Sequence, residues 1–132
     1  MTRYVVDAPT LVHVVAQGIP ISPEHKLVAP SLIRSQALTL LLQAVQRGDI
    51  PEATALRHHE RMTELKMRLL GDRMSRRTAW LIAREQGWPT TYDAEYLAVT
   101  MLQADALVTV DRAMMAKAEG IVPLASLDVL SN

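Results

Sequence analysis

The chain has 132 residues, enough for one domain with a hydrophobic core, and we predict a single domain over residues 1–132. It contains no cysteine, which excludes disulfides, thiolate metal sites and thiol redox chemistry. Fourteen basic residues balance fourteen acidic ones, so the net charge identifies no partner. No apolar run has the length of a membrane helix or the form of a signal peptide, and we therefore expect a cytoplasmic protein without membrane contact.

The first predicted elements are a strand and a helix. The β-branched run Arg3–Val6 is typical of a buried strand. Asp7 follows that strand directly. A helix then starts at Ala8-Pro9-Thr10, because proline is tolerated in a first turn, and it ends at Gly18. The segment Ile19–Lys26 contains two prolines and is predicted to be a loop.

The middle of the chain is predicted to be helical. Leu27-Val28-Ala29 leads into a helix that Pro30 opens, and apolar residues at helical spacing extend it over residues 31–48. A second helix is predicted from Asp49 to about Leu69. After a break at Gly71, the pattern indicates a third helix that ends near Gly87.

We predict the structural positions of three residues in this third helix and its connector. Ser75 is predicted to be the N-cap. Trp80 is expected to face the core. Trp88, in the connector that follows, is interpreted as a packed lid on the helix end, with a platform for base stacking as the alternative.

The last part of the chain alternates helices and strands. We predict a helix opened by Asp93, a strand over Ala106–Val110 that delivers Asp111 at its carboxyl end, a helix over Ala113–Glu119 and a final strand over Ile121–Leu124. Helices between strands are typical of parallel pairing. The sequence therefore predicts an α/β protein, a three-layer α/β/α sandwich with a central parallel sheet.

Three aspartates separated along the chain are candidates for one site. Asp7 and Asp111 end predicted strands, and Asp93 starts a predicted helix. In open α/β sheets, sites lie in the crevice outside the carboxyl ends of the strands, so these carboxylates are expected to meet there. Carboxylate oxygens suit the hard cations Mg²⁺ and Mn²⁺. The alternative for each aspartate is a helix cap or a turn, both of which are common roles of this residue.

Basic residues are concentrated between Arg57 and Arg84, a segment with eight basic and three acidic side chains. One interpretation is a pair of solvated helix faces with charge pairs at i,i+4 spacing. The other is a surface that binds phosphates beside an acidic metal crevice. The candidates for RNA binding on this second interpretation are Arg73, Arg76 and Arg77.

Four segments together resemble a known family. They are Val5-Val6-Asp7, Val28-Ala29-Pro30-Ser31-Leu32, Tyr92-Asp93-Ala94-Glu95-Tyr96-Leu97-Ala98 and Leu107-Val108-Thr109-Val110-Asp111-Arg112. Their order and spacing are similar to those of the PIN domain, specifically the VapC-type toxins of bacterial toxin–antitoxin pairs. The resemblance implies an α/β/α sandwich, an Mg²⁺- or Mn²⁺-dependent endoribonuclease, a homodimer, and a cognate antitoxin protein that inserts into the site.

The resemblance also assigns roles residue by residue. Asp7, Asp93 and Asp111 match three acidic metal ligands of the family, and Thr109 matches a hydroxyl residue that often accompanies the last of them. The fourth acidic position of the family is a glutamate, and Gln36 stands there in this chain. All five positions are therefore candidates for the catalytic site, with Gln36 as the departure from the pattern.

The departures at the site bear on activity. Glutamine keeps the shape of glutamate and one carbonyl oxygen, but it lacks the negative charge and cannot act as a base. Pro9 stands where the family has a small hydroxyl residue, and Thr10 follows it. We therefore expect weakened metal binding at this site.

Three functions remain open on the sequence. The leading hypothesis is the toxin of a type II toxin–antitoxin system, an endoribonuclease that hydrolyses RNA phosphodiester bonds with metal held by aspartates. The second is a catalytically impaired PIN-like domain that binds RNA or an antitoxin. The third is a structural or regulatory protein that dimerises through helices bearing methionine and leucine.

Overall fold

A single parallel sheet forms the centre of the molecule. The computed structural model describes all residues from Met1 to Asn132. Five strands pair in the order β3-β2-β1-β4-β5, and every neighbouring pair is parallel. The strands are Thr2–Val6 (β1), His25–Pro30 (β2), Met67–Leu70 (β3), Ala106–Val108 (β4) and Leu124–Ala125 (β5). Because all strands run the same way, their carboxyl ends share one edge of the sheet.

Helices flank this sheet. Helix α5 packs on β1, β2 and β4 and against α4, whereas α1, α2 and α3 pack on one another. The helices are Ala8–Gln17 (α1), Ile33–Gln46 (α2), Glu52–Glu64 (α3), Arg73–Gln86 (α4), Tyr92–Gln103 (α5) and Arg112–Ala118 (α6), with a 3-10 helix at Leu127–Ser131. The predicted α/β/α sandwich with a central parallel sheet is confirmed. None of the helices combines the length and the apolar character needed to cross a lipid bilayer.

The central strand explains where the core lies. In β1, Val5 is aligned with Val28 of β2 on one side and with Leu107 of β4 on the other. All three side chains are buried, and Leu97 of α5 is fully buried in the same cluster. β-branched and aliphatic side chains favour such a doubly covered parallel strand. The sheet centre is therefore rigid, and it fixes the position of the residue that follows β1.

The middle of the chain differs from the prediction at two places. Pro30 ends β2 (His25–Pro30) and does not open a helix, since α2 starts at Ile33, and the predicted loop over 19–26 is shorter because His25 and Lys26 belong to the same strand. The helix predicted to reach Leu69 ends at Glu64, and Met67–Leu70 is the edge strand β3. Leu65 and Leu69 have the spacing of a helix, so local periodicity does not distinguish the two states there. Pairing with β2 decides the strand, and that pairing is invisible in a local pattern.

Smaller corrections concern α4 and the last strand. The N-cap of α4 is Asp72 rather than Ser75, since the Asp72 side chain accepts a hydrogen bond from the backbone N–H of Ser75 at 2.9 Å. Trp80 does not face the core, because 60% of its surface is exposed. The last strand was predicted over residues 121–124, but it consists of the two residues Leu124–Ala125, which pair with β4.

Candidate functional site

A cleft of about 370 Å³ opens at the carboxyl edge of the sheet. Four of the positions singled out from the sequence line it, and they come from four different elements or their ends. These residues are Asp7, Gln36, Asp93 and Asp111. Side chains separated by up to about a hundred positions in sequence are thus brought to one cleft by the parallel sheet, as the rule for open α/β sheets leads one to expect.

Asp7 occupies the floor of this cleft. It follows β1, only 2% of its surface is exposed, and it caps α1 by accepting from the Thr10 backbone N–H at 3.2 Å. Its Oδ1 also accepts from the Thr10 hydroxyl, and its Oδ2 accepts from the Thr109 hydroxyl at 2.6 Å. Burial raises the pKa of Asp7 above the ordinary 3.8; the hydroxyl groups counteract part of this rise, and the charge of Asp111 adds to it.

Two hydroxyl groups join the ends of β1 and β4. Thr10 is fully buried, and its oxygen accepts from the backbone N–H of Val110 at 3.0 Å. Thr109 binds Asp7 and accepts from the backbone N–H of Asp111 at 3.0 Å. Thr109 was a candidate from the sequence. Thr10 was noted only as the residue that follows Pro9, where the chain departs from the family pattern. The signal for Thr10 was its position three residues after the helix cap, where a side chain reaches back to the capping residue.

Gln36 is held by a residue that the sequence analysis did not single out. The Tyr96 hydroxyl donates to Gln36 Oε1 at 2.5 Å, and 1% of the surface of Tyr96 is exposed. Burial raises the pKa of Tyr96 well above 10.0, and the charges of Asp7 and Asp93 raise it further. The phenol therefore remains a proton donor at physiological pH. Its signal in the sequence was the i,i+3 spacing from Asp93, which puts both on one face of α5.

Asp93 carries a counter-ion from the same chain. Helix α5 begins at Tyr92, so Asp93 lies inside its first turn and does not open it. Lys117 Nζ donates to Asp93 Oδ2 at 2.6 Å, and each side chain is 39% exposed. The same ammonium lies 5.2 Å from the ring centroid of Trp88, which is half-buried and packs against the core. Trp88 is thus packed against the core, as the lid interpretation predicts, and it also lines a surface concavity beside the connector. Lys117 was missed, because nothing in its local sequence indicates a partner 24 residues away.

The three carboxylates match a divalent cation in donor chemistry. Asp111 caps α6 by accepting from the Ala113 backbone N–H at 3.0 Å, and it faces the cleft that Asp7 and Asp93 line. Carboxylate oxygens are the ligands that Mg²⁺ and Mn²⁺ prefer. No three acidic or histidine side chains are grouped closely enough to hold an ion as they stand. A cation would have to displace Lys117 from Asp93, so the donors fit while the arrangement is not preformed.

The arginines predicted to contact RNA lie outside the cleft. Arg73, Arg76 and Arg77 are exposed on the first two turns of α4. Arg76 lines a neighbouring concavity of about 620 Å³, together with Glu95. None of the three arginines forms an ion pair, since the ion pairs of the chain involve Arg47 and Lys117.

Comparison with known proteins extends the description of the fold. No protein-family model matches the chain, and no curated protein matches it significantly. Among solved structures, the chain is similar to the crystal structure of PAE2754 from Pyrobaculum aerophilum. The TM-score is 0.74 at 27% sequence identity, and the match covers 98% of this chain and 93% of that one. The architecture is therefore one that a natural protein of nearly the same length also adopts.

Proposed function

We propose that this chain is a PIN-domain endoribonuclease that depends on Mg²⁺ or Mn²⁺ and serves as the VapC-type toxin of a type II toxin–antitoxin pair. The observation that supports this most strongly is the convergence of Asp7, Asp93 and Asp111 with Gln36 on one cleft. Those are the positions to which the family resemblance assigns the reaction. Separate structural roles for the three aspartates would not require that they share a cleft.

The chain's own residues perform several tasks in this mechanism. A bound divalent cation, held by Asp7, Asp93 and Asp111, would supply an activated water and neutralise charge on the phosphate. Thr10 and Thr109 orient the Asp7 carboxylate through their hydroxyl groups. Such fixed orientation of an acidic group lowers the cost of reaching the reactive geometry.

Two further side chains shape the cleft. Tyr96 fixes Gln36 by donating to its amide oxygen, so the amide NH₂ group is left to face the cleft and to donate to a phosphate oxygen. Lys117 lies at the cleft rim, and its positive charge would be available to the RNA backbone if Asp93 held a cation instead. Neither Gln36 nor the protonated Tyr96 can accept a proton from water, so these residues position groups and do not act as bases.

The alternative is an impaired PIN-like domain that binds RNA or an antitoxin without cleaving RNA. Two observations favour it. Gln36 removes one negative charge from the set that the family uses, and Lys117 already neutralises Asp93. Each reduces the attraction of the cleft for a cation. This alternative keeps the same fold and the same surface for partners, but it predicts no metal-dependent hydrolysis.

The proposed partners follow from the proposed family. They are an RNA substrate, a second copy of the chain in a homodimer and a cognate antitoxin protein, all in the cytoplasm. The acidic cleft supports the proposal of an antitoxin partner, because it already accepts one cationic side chain, that of Lys117. An arginine or lysine of a partner protein has the same chemistry and is able to take that place.

Substitution of Gln36 separates the two functions. Gln36→Glu retains an acceptor for the Tyr96 hydroxyl and restores the missing charge, so we expect RNA cleavage in Mn²⁺ to rise by roughly 10²- to 10³-fold, as for the restoration of a catalytic acid or base. The measurement is the rate of cleavage of a total RNA preparation in Mn²⁺ and in EDTA.

The controls use the same helix and the same cleft. Gln43→Glu places an equal charge on the exposed side of α2 and should leave the rate unchanged. Asp93→Asn, combined with Gln36→Glu, should abolish the gain. If neither the wild type nor folded Gln36→Glu cleaves any RNA in Mg²⁺ or Mn²⁺, the nuclease proposal fails and the binding alternative stands.

A further inference from the structure

Two large aromatic side chains are exposed beside the connector between α4 and α5. Trp80 is 60% exposed and Tyr92 is 56% exposed. Both line a concavity of about 410 Å³, and Arg84 lines it as well. Burial of an aromatic side chain is strongly favourable, so two of them left open in one concavity indicate a surface that binds something.

A second concavity continues from the first. Trp80 and Thr91 line both, and the second has a volume of about 620 Å³. Its far wall contains Arg76, whose guanidinium lies over Gly71: a Cβ added to that glycine would be 3.9 Å from Arg76 Nη2. The two concavities thus form one groove in which Trp80 is common to both parts, with Arg84 in the first part and Arg76 in the second.

This groove lies beside the acidic cleft. Ser31 and Gly71 follow β2 and β3, so the groove runs along the carboxyl edge of the sheet where Asp7 also stands. Tyr92 in the groove and Asp93 in the cleft are consecutive residues of the first turn of α5. The groove and the cleft thus meet at the first turn of α5, within reach of one chain molecule.

The charge of the groove suits a polyanion. Helix α4 carries four arginines and one glutamate, although the whole chain has no net charge. None of these arginines is in an ion pair. Glu95 is the one acidic side chain that lines the groove, and it lies beside Arg76. Unpaired guanidinium groups beside exposed rings are the combination by which proteins hold single-stranded nucleic acid.

We propose that Trp80 and Tyr92 form a stacking platform for unpaired bases of single-stranded RNA, and that Arg76 and Arg84 contact the phosphates of the same segment. This inference rests on the proposed function and specifies the form of its substrate. Bases in a duplex are already stacked and paired, so they cannot lie on the rings. The groove then directs the backbone of a single strand towards the cleft.

Tryptophan fluorescence tests this platform directly. The chain has two tryptophans, and both line the first concavity. Trp88→Phe leaves Trp80 as the sole tryptophan reporter and keeps an aromatic ring at position 88. The full chain is titrated in EDTA, which prevents cleavage, with an unstructured oligouridine of roughly 12 nucleotides, within the span of known single-strand sites. We expect saturable quenching of Trp80, and much weaker quenching by a duplex RNA of equal length.

Affinities measured by fluorescence anisotropy provide the second readout. Trp80→Ala should weaken oligouridine binding by roughly 5- to 100-fold, as for the loss of a stacked base, and Trp80→Phe should retain most of the affinity. Met101→Ala is the matched control, since Met101 is 50% exposed on α5 outside the groove, and it should change nothing. Arg76→Gln should lower the slope of log affinity against log salt by about 0.7, the value for one phosphate contact to a single strand, whereas Arg61→Gln on α3 should not.

Each outcome decides the proposal. Unquenched Trp80, or an unchanged affinity in Trp80→Ala, overturns it. If Trp80→Ala instead changes the mass of the protein in solution while RNA affinity stays the same, the surface is an interface between copies of the chain and the proposal is also overturned. Quenching with no cleavage by Gln36→Glu supports the platform while the nuclease fails; cleavage without quenching supports the nuclease while the platform fails.

Discussion

Asp7 is a carboxylate that the fold both buries and supports. Its oxygens accept hydrogen bonds from the hydroxyl groups of Thr10 and Thr109, and only 2% of its surface reaches solvent. Hydrogen bonds to the charged form stabilise it, whereas desolvation destabilises it, and here desolvation dominates. The metal-free protein thus carries a charge that its surroundings disfavour, and a cation in the cleft would relieve that cost.

The raised pKa of Asp7 gives the metal-free protein a specific pH dependence. Between the ordinary value of 3.8 and the higher folded value, the folded state binds more protons than the unfolded state. Asp7 therefore contributes a loss of stability as the pH rises through that window. We expect Asp7→Asn to become more stable relative to the wild type as the pH rises through it, when unfolding free energies are measured by urea titration in EDTA.

The test is how the difference in unfolding free energy between Asp7→Asn and the wild type changes with pH, and not the absolute size of that difference. Asn cannot accept the Thr109 hydrogen bond through its NH₂ group, and that pH-independent cost shifts the whole difference curve by about 1 kcal/mol. Glu24→Gln, at an exposed loop position, is the matched control. A constant difference between Asp7→Asn and wild type from acid to neutral pH would contradict the expectation.

Lys117 is the second residue that bears on the proposed metal site. Its ammonium lies 2.6 Å from Asp93 Oδ2, so it would compete with a metal for the same carboxylate. Lys117→Met should strengthen Mn²⁺ binding by roughly fivefold, corresponding to about 1 kcal/mol for removal of a nearby positive charge at a solvated site. Isothermal titration calorimetry with Mn²⁺ measures this.

The matched control for that change is Lys26→Met. Lys26 is also exposed, but it lies in the first half of β2, towards the amino end of the sheet. Lys26→Met should leave Mn²⁺ binding unchanged. Equal or weaker Mn²⁺ binding by Lys117→Met would mean that the pair with Asp93 does not oppose the metal.

At the scale of elements, the start of α4 determines how its arginines are presented. Asp72 caps this helix through the backbone N–H of Ser75, and these hydrogen bonds lower the pKa of Asp72 below 3.8. The same cap holds the turn that follows β3, and Arg76 lies one turn further along. Capping is therefore coupled to the position of the guanidinium in the groove.

Removal of this cap should have a pH-dependent effect. A depressed pKa gives stability that is present above the unfolded value and lost as the pH falls through the folded value. Asp72→Ala should lower the melting temperature at pH 7, and it should lower it less once Asp72 is protonated in both the folded and the unfolded state. Asp72→Asn retains an accepting oxygen, so its melting temperature at neutral pH should lie between those of the wild type and Asp72→Ala. A loss in Asp72→Ala that is the same at acid and neutral pH would contradict the capping role.

Elements differ in how far sequence predicts them. The positions of β1 and β4 were predicted from their aliphatic runs, although β4 ends at Val108 and not at the predicted Val110. The ends of α1 and α4 at Gly18 and Gly87 were also predicted, and both glycines adopt positive φ angles of 64° and 72° there. The strand β3 was not predicted, because its apolar residues continue the helical spacing of α3 and only pairing with β2 makes them a strand.

At the scale of the whole molecule, the fold class and the shared cleft were predictable, and the contacts inside the cleft were not. Alternating elements imply a parallel sheet, and a parallel sheet brings residues at strand ends together. The hydrogen bond from Tyr96 to Gln36 and the ion pair of Lys117 with Asp93 join helices that the local sequence does not relate. Such pairs depend on helix packing angles, which one sequence does not reveal.

The order of strands also has a consequence during protein synthesis. β1 is made first but is the middle strand, and its neighbour β4 begins at Ala106. Asp7 emerges from the ribosome early and meets Asp111 only after the chain has been translated past β4. Because the sheet closes through contacts far apart in sequence, an incomplete nascent chain cannot assemble the cleft. A chain whose synthesis stops before residue 111 therefore lacks the complete cleft, and with it any activity that depends on that cleft.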